Sequence, residues 1–228
     1  MSSLADIQAL TFDVGGTLIE PWPSVGHIYA EVAARYGHEN LQPEKLNQQF
    51  AVAWQSKRDF DHSRRAWLDL VQKTFEGLIA RPAQELFDDL YDRFARPEAW
   101  RVFDDVRPAL DALRDRGFKL GAISNWDERL RPLLDQLQLE QYFRVVVISV
   151  ETGMAKPARE MFQRAAFLLG VPPRRILHVG DSLVEDVLGA QAAHFQTLLL
   201  SRQAPPASGP AIISLADLER LLARSPAN

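Results

Sequence analysis

The sequence predicts an α/β fold, a parallel sheet covered on both faces by helices, with a small all-helical bundle inserted into it. Three observations predict it. Apolar runs at residues 119–124, 145–148, 176–179 and 197–200 alternate with amphipathic helical stretches, as parallel strands joined by helical crossovers must. The runs are continuously apolar, which suits strands buried on both faces. Between residues 24 and 95 the alternation stops, and four helical patterns follow with no convincing strand among them. Successive amphipathic helices of this kind bury their apolar stripes against one another as a bundle.

Each element has its own signal. Residues 7–12 form a short apolar strand that turns abruptly at Gly15-Gly16. Ser24 caps a helix carrying Val25, Ile28, Tyr29, Val32 and Tyr36, and Gly37 ends it. Pro43 opens the next, with Leu46, Phe50 and Trp54; a third carries Trp67, Leu70, Val71, Phe75 and Leu78; a fourth starts at Pro82 and carries Leu86, Phe87, Leu90 and Phe94. The aromatics Trp54, Trp67, Phe75 and Phe87 are expected in the bundle core. Beyond Trp100 come a helix near 105–116, strand 119–124, a helix with Leu130, Leu133, Leu134 and Leu137, and strand 145–148. A helix with Met161, Phe162, Ala165, Ala166 and Leu169 follows, then strand 176–179, a helix over 183–193 and strand 197–200. Residues 202–210 read as a surface loop, and Ser214-Leu215-Ala216-Asp217 resembles a capping box for a last helix. The sheet domain is therefore assigned to residues 1–20 and 98–228, and the helical insert to 21–97.

Composition excludes several classes of function. The chain has 228 residues, is 46% hydrophobic and 25% charged, and carries a net charge of −4. That balance suits a globular protein with one good core plus an insert. It speaks against nucleic acid or an anionic membrane as the main partner. There are no cysteines, hence no disulfides and no thiolate metal site. No signal peptide or membrane span is expected from the sequence, and the expected location is cytoplasmic, as a monomer or homodimer.

Four strand ends in a row carry groups suited to phosphate chemistry. The first ends at Asp13, the second at Ser124-Asn125; Lys156-Pro157 follows the third, and the fourth runs into Gly180-Asp181-Ser182-Leu183-Val184-Glu185-Asp186. Parallel strands put their carboxyl ends on one edge, where ligands bind in open α/β sheets. Asp13 can attack phosphorus and form an aspartyl phosphate. Gly15 and Gly16 let backbone amides approach an anion, and Thr17 adds a hydroxyl donor. A hard divalent cation, Mg²⁺, would hold Asp13 against an anionic substrate. Asp181, Asp186 and the Gly15 carbonyl can complete its shell, since Mg²⁺ takes one or two carboxylates plus phosphate oxygens and waters. Ser124 and the amides around it, Asn125 included, can donate to a phosphoryl oxygen. Lys156 can neutralise charge on the phosphoryl group and on Asp13, and Pro157 biases it towards an extended backbone. Each residue taken singly has a plainer reading. Asp13, Ser124, Asp181 or Ser182 could cap a turn or helix, Lys156 could be a solvated lysine, and Asp186 an ordinary helix charge. As an ordered set at strand ends, coincidence becomes the weaker reading. Trp126 and Asp127 read equally well as substrate or insert contacts and as local packing. His178 reads as a core residue or a neighbour of the site rather than a ligand.

The order of these motifs resembles the haloacid dehalogenase-like (HAD) hydrolase superfamily across the whole chain. Phe12-Asp13-Val14-Gly15-Gly16-Thr17-Leu18 is similar to its first motif, Ile123-Ser124-Asn125 to the second, Lys156-Pro157 to the third, and Val179-Gly180-Asp181 through Asp186 to the fourth. The helical insert is similar to the family's type I cap. The resemblance implies a Rossmann-like core, Mg²⁺ and, most often, hydrolysis of a small phosphate monoester. It assigns the nucleophile to Asp13, phosphate binding to Ser124 and Lys156, and metal ligation to Asp13, Asp181 and Asp186. Phosphatases of the family usually carry a second Asp two residues after the nucleophile, as general acid and base; here that position is Gly15. The chain resembles members that lack this Asp. Turnover is therefore expected to be weak or selective, as such help is worth about 10²–10⁴-fold, unless Glu31, Glu44, Asp59, Asp61 or His62 of the insert supplies the proton. The alternative is a non-catalytic phosphate or phosphoprotein binder. Dehalogenase chemistry, which needs no metal, and phosphonate cleavage, which needs a Schiff-base lysine, fit less well.

Overall fold

The computed structural model describes residues 4–57, 60–80, 82–202 and 211–223. Asp59 and all but the first residue of the loop expected at 202–210 lie outside them. The described residues of Met1–Ile19, Val102–Trp126 and Gln138–Asn228 form one compact unit, and those of Glu20–Arg101 and Asp127–Leu137 form another.

The first unit is built on a six-stranded sheet. Its strands are β1 (Ala9–Phe12), β4 (Lys119–Ser124), β5 (Val145–Ile148), β6 (Ile176–Gly180), β7 (Gln196–Leu200) and β8 (Ala211–Ile212). They lie in the order β5-β4-β1-β6-β7-β8, and every pairing is parallel. Counted in chain order, that is the 3-2-1-4-5-6 arrangement of a doubly wound, Rossmann-like sheet. β1 and β6 are buried along their whole length, which is why both read as apolar runs, broken only by Thr11 and His178. Helices α5 (Val106–Asp115), α7 (Ser149–Thr152), α8 (Arg159–Leu169), α9 (Gly189–Ala192) and α10 (Asp217–Ala223) accompany the sheet. α8 presents Met161, Phe162, Ala165, Ala166 and Leu169 to a core shared with Ala9, Ile123, Val147 and Phe195. Complete burial of a side chain such as Phe162 contributes about 1.5–3 kcal/mol.

The second unit is helical: α1 (Val25–Ala34), α2 (Pro43–Gln55), α3 (Arg64–Thr74), α4 (Gln84–Arg93) and α6 (Leu130–Gln136). Ser24 caps α1 by accepting from His27 N–H at 3.3 Å. α1 and α2 approach at Gly26, where a Cβ would stand 2.0 Å from the Pro43 carbonyl oxygen, so only glycine allows the crossing. Ile28, Tyr29, Leu46, Phe75, Leu86, Phe87 and Leu90 form the core. Phe75 and Phe87 are buried in it, whereas Trp54 and Trp67 are half-buried and stack on each other with centroids 6.0 Å apart.

Residues 127–137, which the sequence reading places with the sheet, group with the helical unit. Polar contacts tie them to it. The fully buried Asp127 carboxylate is gripped at both oxygens by Arg129, at 2.8 and 2.6 Å, and accepts from Trp67 Nε1–H at 2.8 Å. The Arg129 guanidinium lies 3.6 Å from the Tyr91 ring centroid and donates to the Tyr91 carbonyl at 2.8 Å.

Three strands of two or three residues were not legible in the sequence: β8 at the edge of the main sheet, and two more. β2 (Ile19–Pro21) and β3 (Trp100–Val102) form a separate two-stranded sheet; three residues each is too short for any periodicity. Among the described residues, no helix is long and apolar enough to cross a membrane.

Candidate active site

The sheet order reverses between β1 and β6, and the crevice at that point is where ligands bind in such sheets. Asp13 directly follows β1, and its N–H donates to the Val179 carbonyl at 3.0 Å, extending the β1–β6 ladder by one bond. The chain then folds into a tight turn. The Val14 carbonyl accepts from the N–H groups of Thr17, Leu18 and Ile19 at 3.3, 2.8 and 3.1 Å. Gly16, at φ +76°, spends its own N–H on the Ile19 carbonyl at 2.8 Å. What Gly16 supplies is space rather than a free amide, for a Cβ there would stand 2.3 Å from Asp181 Oδ2.

The β6 end is shaped the same way. A Cβ on Gly180 would lie 2.2 Å from Asp186 Cγ, so glycine is required for the carboxylate to turn inward. The helix expected over 183–193 is divided: Leu183–Leu188 is a π-helical turn and only Gly189–Ala192 is α-helical. Asp186 and Val187 N–H both donate to the Ser182 carbonyl, at 3.0 and 3.2 Å. Such wide turns recur at functional sites. Ser182 caps the turn through Glu185 N–H at 3.1 Å, and its own N–H donates to Asp186 Oδ2 at 2.9 Å. The outcome is that one oxygen each from Asp13, Asp181 and Asp186 lie within 4.8 Å of one another.

Lys156 closes the group. Its buried Nζ donates to Asp13 Oδ1 at 2.5 Å and to Asp186 Oδ1 at 2.6 Å. Asn125 holds it there. The Asn125 Oδ1 accepts from Lys156 N–H at 2.7 Å, and its Nδ2 donates to the Lys156 carbonyl at 2.9 Å and to Glu185 Oε2 at 3.1 Å. Asn125, read from the sequence as a phosphate contact, thus spends its amide on bracing Lys156. The Lys156–Pro157 peptide is cis. Thr17 Oγ1 donates to Asp13 Oδ2 at 3.5 Å. Ser124, buried at the end of β4, stands two residues beyond the Phe12–Ala122 pair. Gly15 forms an isolated bridge with Ile19, and a Cβ on it would meet Trp126 Cζ3 at 3.2 Å.

His178, which the sequence reads as a core residue or a neighbour of the site, is buried beside Asp186. Thr11 and His178 are register partners on β1 and β6. Their side chains join Thr11 Oγ1 to His178 Nδ1 at 2.9 Å, and His178 Nε2 lies 3.2 Å from Asp186 Oδ1. A carboxylate only accepts, so Nε2 carries the proton and Nδ1 accepts from the Thr11 hydroxyl. Burial holds the imidazole below its ordinary pKa, against the pull of Asp186, and the neutral ring orients the carboxylate. The available signal was a pair of polar residues facing each other inside two apolar strands.

The electrostatics suit a cation. Three carboxylates converge and one ammonium answers them, so the fully ionised site carries two uncompensated negative charges. Burial pushes the Asp13 carboxyl up to about 8, with Lys156 opposing and Asp186 and Asp181 adding to the rise. Asp181 opens to solvent, yet the surrounding protein and the charge of Asp186 push it up to about 6. Asp186 is held below the ordinary carboxylate range: burial acts against the charge, and Lys156 and His178 outweigh it. Burial likewise works against the Lys156 charge, but Asp13 and Asp186 hold its pKa above the ordinary value. An all-oxygen donor set whose members repel one another fits a hard divalent cation.

Comparison with known proteins agrees with the geometry. Residues 7–194 match the family model described as haloacid dehalogenase-like hydrolase. The chain belongs to that family. Its relatives include haloacid dehalogenase-like hydrolase domain-containing protein 3 of Bos taurus, 33% identical over 217 residues, which cover 90% of this chain and 86% of the relative. Among solved structures, a HAD phosphatase from Thermococcus onnurineus is 25% identical, with a TM-score of 0.69 over 95% of this chain and 98% of its own. A 2-haloacid dehalogenase from Pseudomonas syringae pv. Tomato DC3000 is also 25% identical, with a TM-score of 0.64 over 96% and 99%. HAD-like proteins similar to this chain thus carry the names of two different chemistries.

Proposed function

We propose that this chain is a Mg²⁺-dependent phosphatase that acts on a small phosphorylated substrate through an aspartyl-phosphate intermediate. The observation that carries this reading is the convergence of Asp13, Asp181 and Asp186 around a lysine bonded to two of them. The phosphatase neighbour supports it. The dehalogenase neighbour weighs less, because displacing a halide gives no use to the Asp181 carboxylate held against Gly16.

Asp13, Asp181, Asp186 and the Gly15 carbonyl would hold the cation, which when bound neutralises charge between the carboxylates and an incoming phosphoryl group. An Asp13 carboxylate oxygen attacks phosphorus, and the bond to the leaving oxygen breaks with its electron pair. Gly15 has no proton to give, so the leaving oxygen takes one from water. A second water attacks the aspartyl phosphate, releasing inorganic phosphate and regenerating Asp13, and the proton it sheds neutralises the hydroxide left by the first. Lys156 steadies the charge on Asp13 and the phosphoryl group, while the Ser124 hydroxyl and nearby amides donate to phosphoryl oxygens. Substrates with acidic leaving groups lose least from the missing acid.

The direct test is turnover of a panel of phosphate esters with Mg²⁺, with chelator, and with Mg²⁺ restored. Hydrolysis only when the metal is present is expected. The glycine at position 15, with Trp126 against it, favours one other reading, a phosphate binder without turnover. Mg²⁺-dependent phosphate binding with no hydrolysis of any ester would establish that one instead.

The metal site has its own signature. Mg²⁺ should raise the melting temperature, by about 2.7 kcal/mol of stabilisation at a hundredfold excess over Kd. Asp181 and Asp13 carry raised pKa values of about 6 and 8, so the metal displaces protons at low pH. The shift should be small at pH 5 and grow towards pH 8. Asp181→Asn should remove most of it, and a melting temperature indifferent to Mg²⁺ at pH 8 would rule the site out.

A further inference from the structure

Arg202, just beyond β7, reaches the turn that follows Asp13. Its Nη2 donates to the Thr17 carbonyl at 2.7 Å, and its Nη1 to Asp105 Oδ2 at 3.0 Å. The guanidinium lies 3.8 Å from the Phe103 ring centroid. Asp105 is itself fixed, because the same Oδ2 accepts from Ser214 Oγ at 2.6 Å and from Leu215 N–H at 2.8 Å. Ser214 therefore serves Asp105 as well as the Ala216 N–H that it caps at 3.2 Å. Both side chains of the pair are mostly buried, each 16% exposed.

Thr17 is bonded from two directions. Its hydroxyl points to the Asp13 carboxylate and its carbonyl is held by Arg202. The turn's other bonds converge on the Val14 carbonyl and join Gly16 to Ile19; the Thr17 carbonyl is satisfied from outside, by a residue 185 positions along the chain. The neighbouring Leu18 carbonyl accepts from Phe103 N–H at 3.1 Å, so the segment carrying Asp105 braces the same turn a second time.

We propose that Arg202, oriented by Asp105, is a positioning residue for the Asp13–Leu18 turn. It fixes Thr17, and through Thr17 the direction of the Asp13 carboxylate and the place of Gly16 under Asp181. Its catalytic part rests on the phosphatase reading above; its structural part does not. A planar fork suits the task, since one arm bonds the carbonyl while the other stays on the carboxylate, and a lysine offers only a point charge.

The test compares Arg202→Met, Arg202→Lys and Asp105→Asn with the parent. Two readouts are taken: amide hydrogen exchange of residues 14–19 and steady-state hydrolysis of p-nitrophenyl phosphate in Mg²⁺. Arg202→Met should speed exchange at Leu18 and Ile19 by about 10-fold or more, leaving β6 amides unchanged, since local opening is governed by local contacts. It should lower kcat by about 10- to 100-fold, the scale of a small misplacement of reacting groups, with KM within about twofold. Arg202→Lys should recover part of kcat, and Asp105→Asn should reproduce a milder form of the same split. Unchanged exchange in the turn, or a loss confined to KM, overturns the proposal. If the parent hydrolyses nothing, the phosphatase reading fails on its own, and exchange in the turn still decides whether Arg202 holds it. If Arg202→Met does not fold, the Lys and Asn variants carry the same comparison.

Discussion

Asp13→Asn is expected to lower phosphatase turnover roughly 10⁴-fold or more, the scale on which removing a nucleophile acts, while making the stability of the metal-free protein less sensitive to rising pH. The two effects share one cause. Asp13 is buried beside two other carboxylates, and its pKa is pushed up from 3.8 to about 8. A carboxyl raised in the folded state binds a proton that the unfolded chain has already released. The stability this contributes is fully present below pH 3.8 and is lost as pH rises through 8. Metal-free parent protein should therefore lose melting temperature over that window, and the neutral asparagine should flatten the slope. Lys156 keeps Asp186 as a charged partner in the variant. Melting curves from pH 4 to 9 in chelator, beside initial rates in Mg²⁺, measure both. Undiminished turnover in Asp13→Asn would remove this residue from the role of nucleophile.

Gly15→Asp is expected to raise turnover of an ester with a poor leaving group by about 10-fold or more, and of p-nitrophenyl phosphate by less, because that leaving group barely needs a proton. Gly15 is not among the glycines at positive φ, so the backbone admits a side chain. The obstacle is Trp126, whose indole would stand 3.2 Å from the new Cβ and must yield by a few tenths of an ångström. Its backbone cannot follow easily, since Ser149 Oγ bonds both its N–H and its carbonyl at 2.9 Å. Gly15→Asp combined with Trp126→Ala should therefore gain more than Gly15→Asp alone. Both gains should vanish when Asp13→Asn is added. A folded, Mg²⁺-responsive Gly15→Asp protein with no gain on any ester would favour the non-catalytic binder.

Much of this molecule was legible in its sequence. The strands at 119–124 and 145–148 match the observed bounds, because burial on both faces writes a mainly apolar run. Convergence of Asp13, Lys156, Asp181 and Asp186 followed from parallel strands sharing one edge. What stayed hidden depends on contacts distant in sequence. Asn125 looks like a ligand-binding amide until its bonds to Lys156 and Glu185 are seen. His178 gains meaning only from its register with Thr11. The wide turn at 183–188 has the composition of an ordinary helix, and the use of Gly16 and Gly180 as space for carboxylates needs the neighbouring strand's loop in view. The Arg202 reach to Thr17 crosses almost the whole chain, and no local pattern encodes it.

The grouping of residues 127–137 with the helices bears on how the helical unit could be transplanted. Cut out as one stretch from Glu20 to Arg101, it would leave behind the carboxylate that receives the Trp67 indole N–H, the guanidinium stacked on Tyr91, and the Glu128 acceptor of the Tyr91 hydroxyl. The polar tips of these aromatic side chains would then face water with their partners missing. A chimera that borrows this unit has to carry two ribbons of chain, the long insert and the eleven residues from Asp127 to Leu137. The module that recombines as a whole is defined by its buried polar contacts, not by the continuity of the polypeptide.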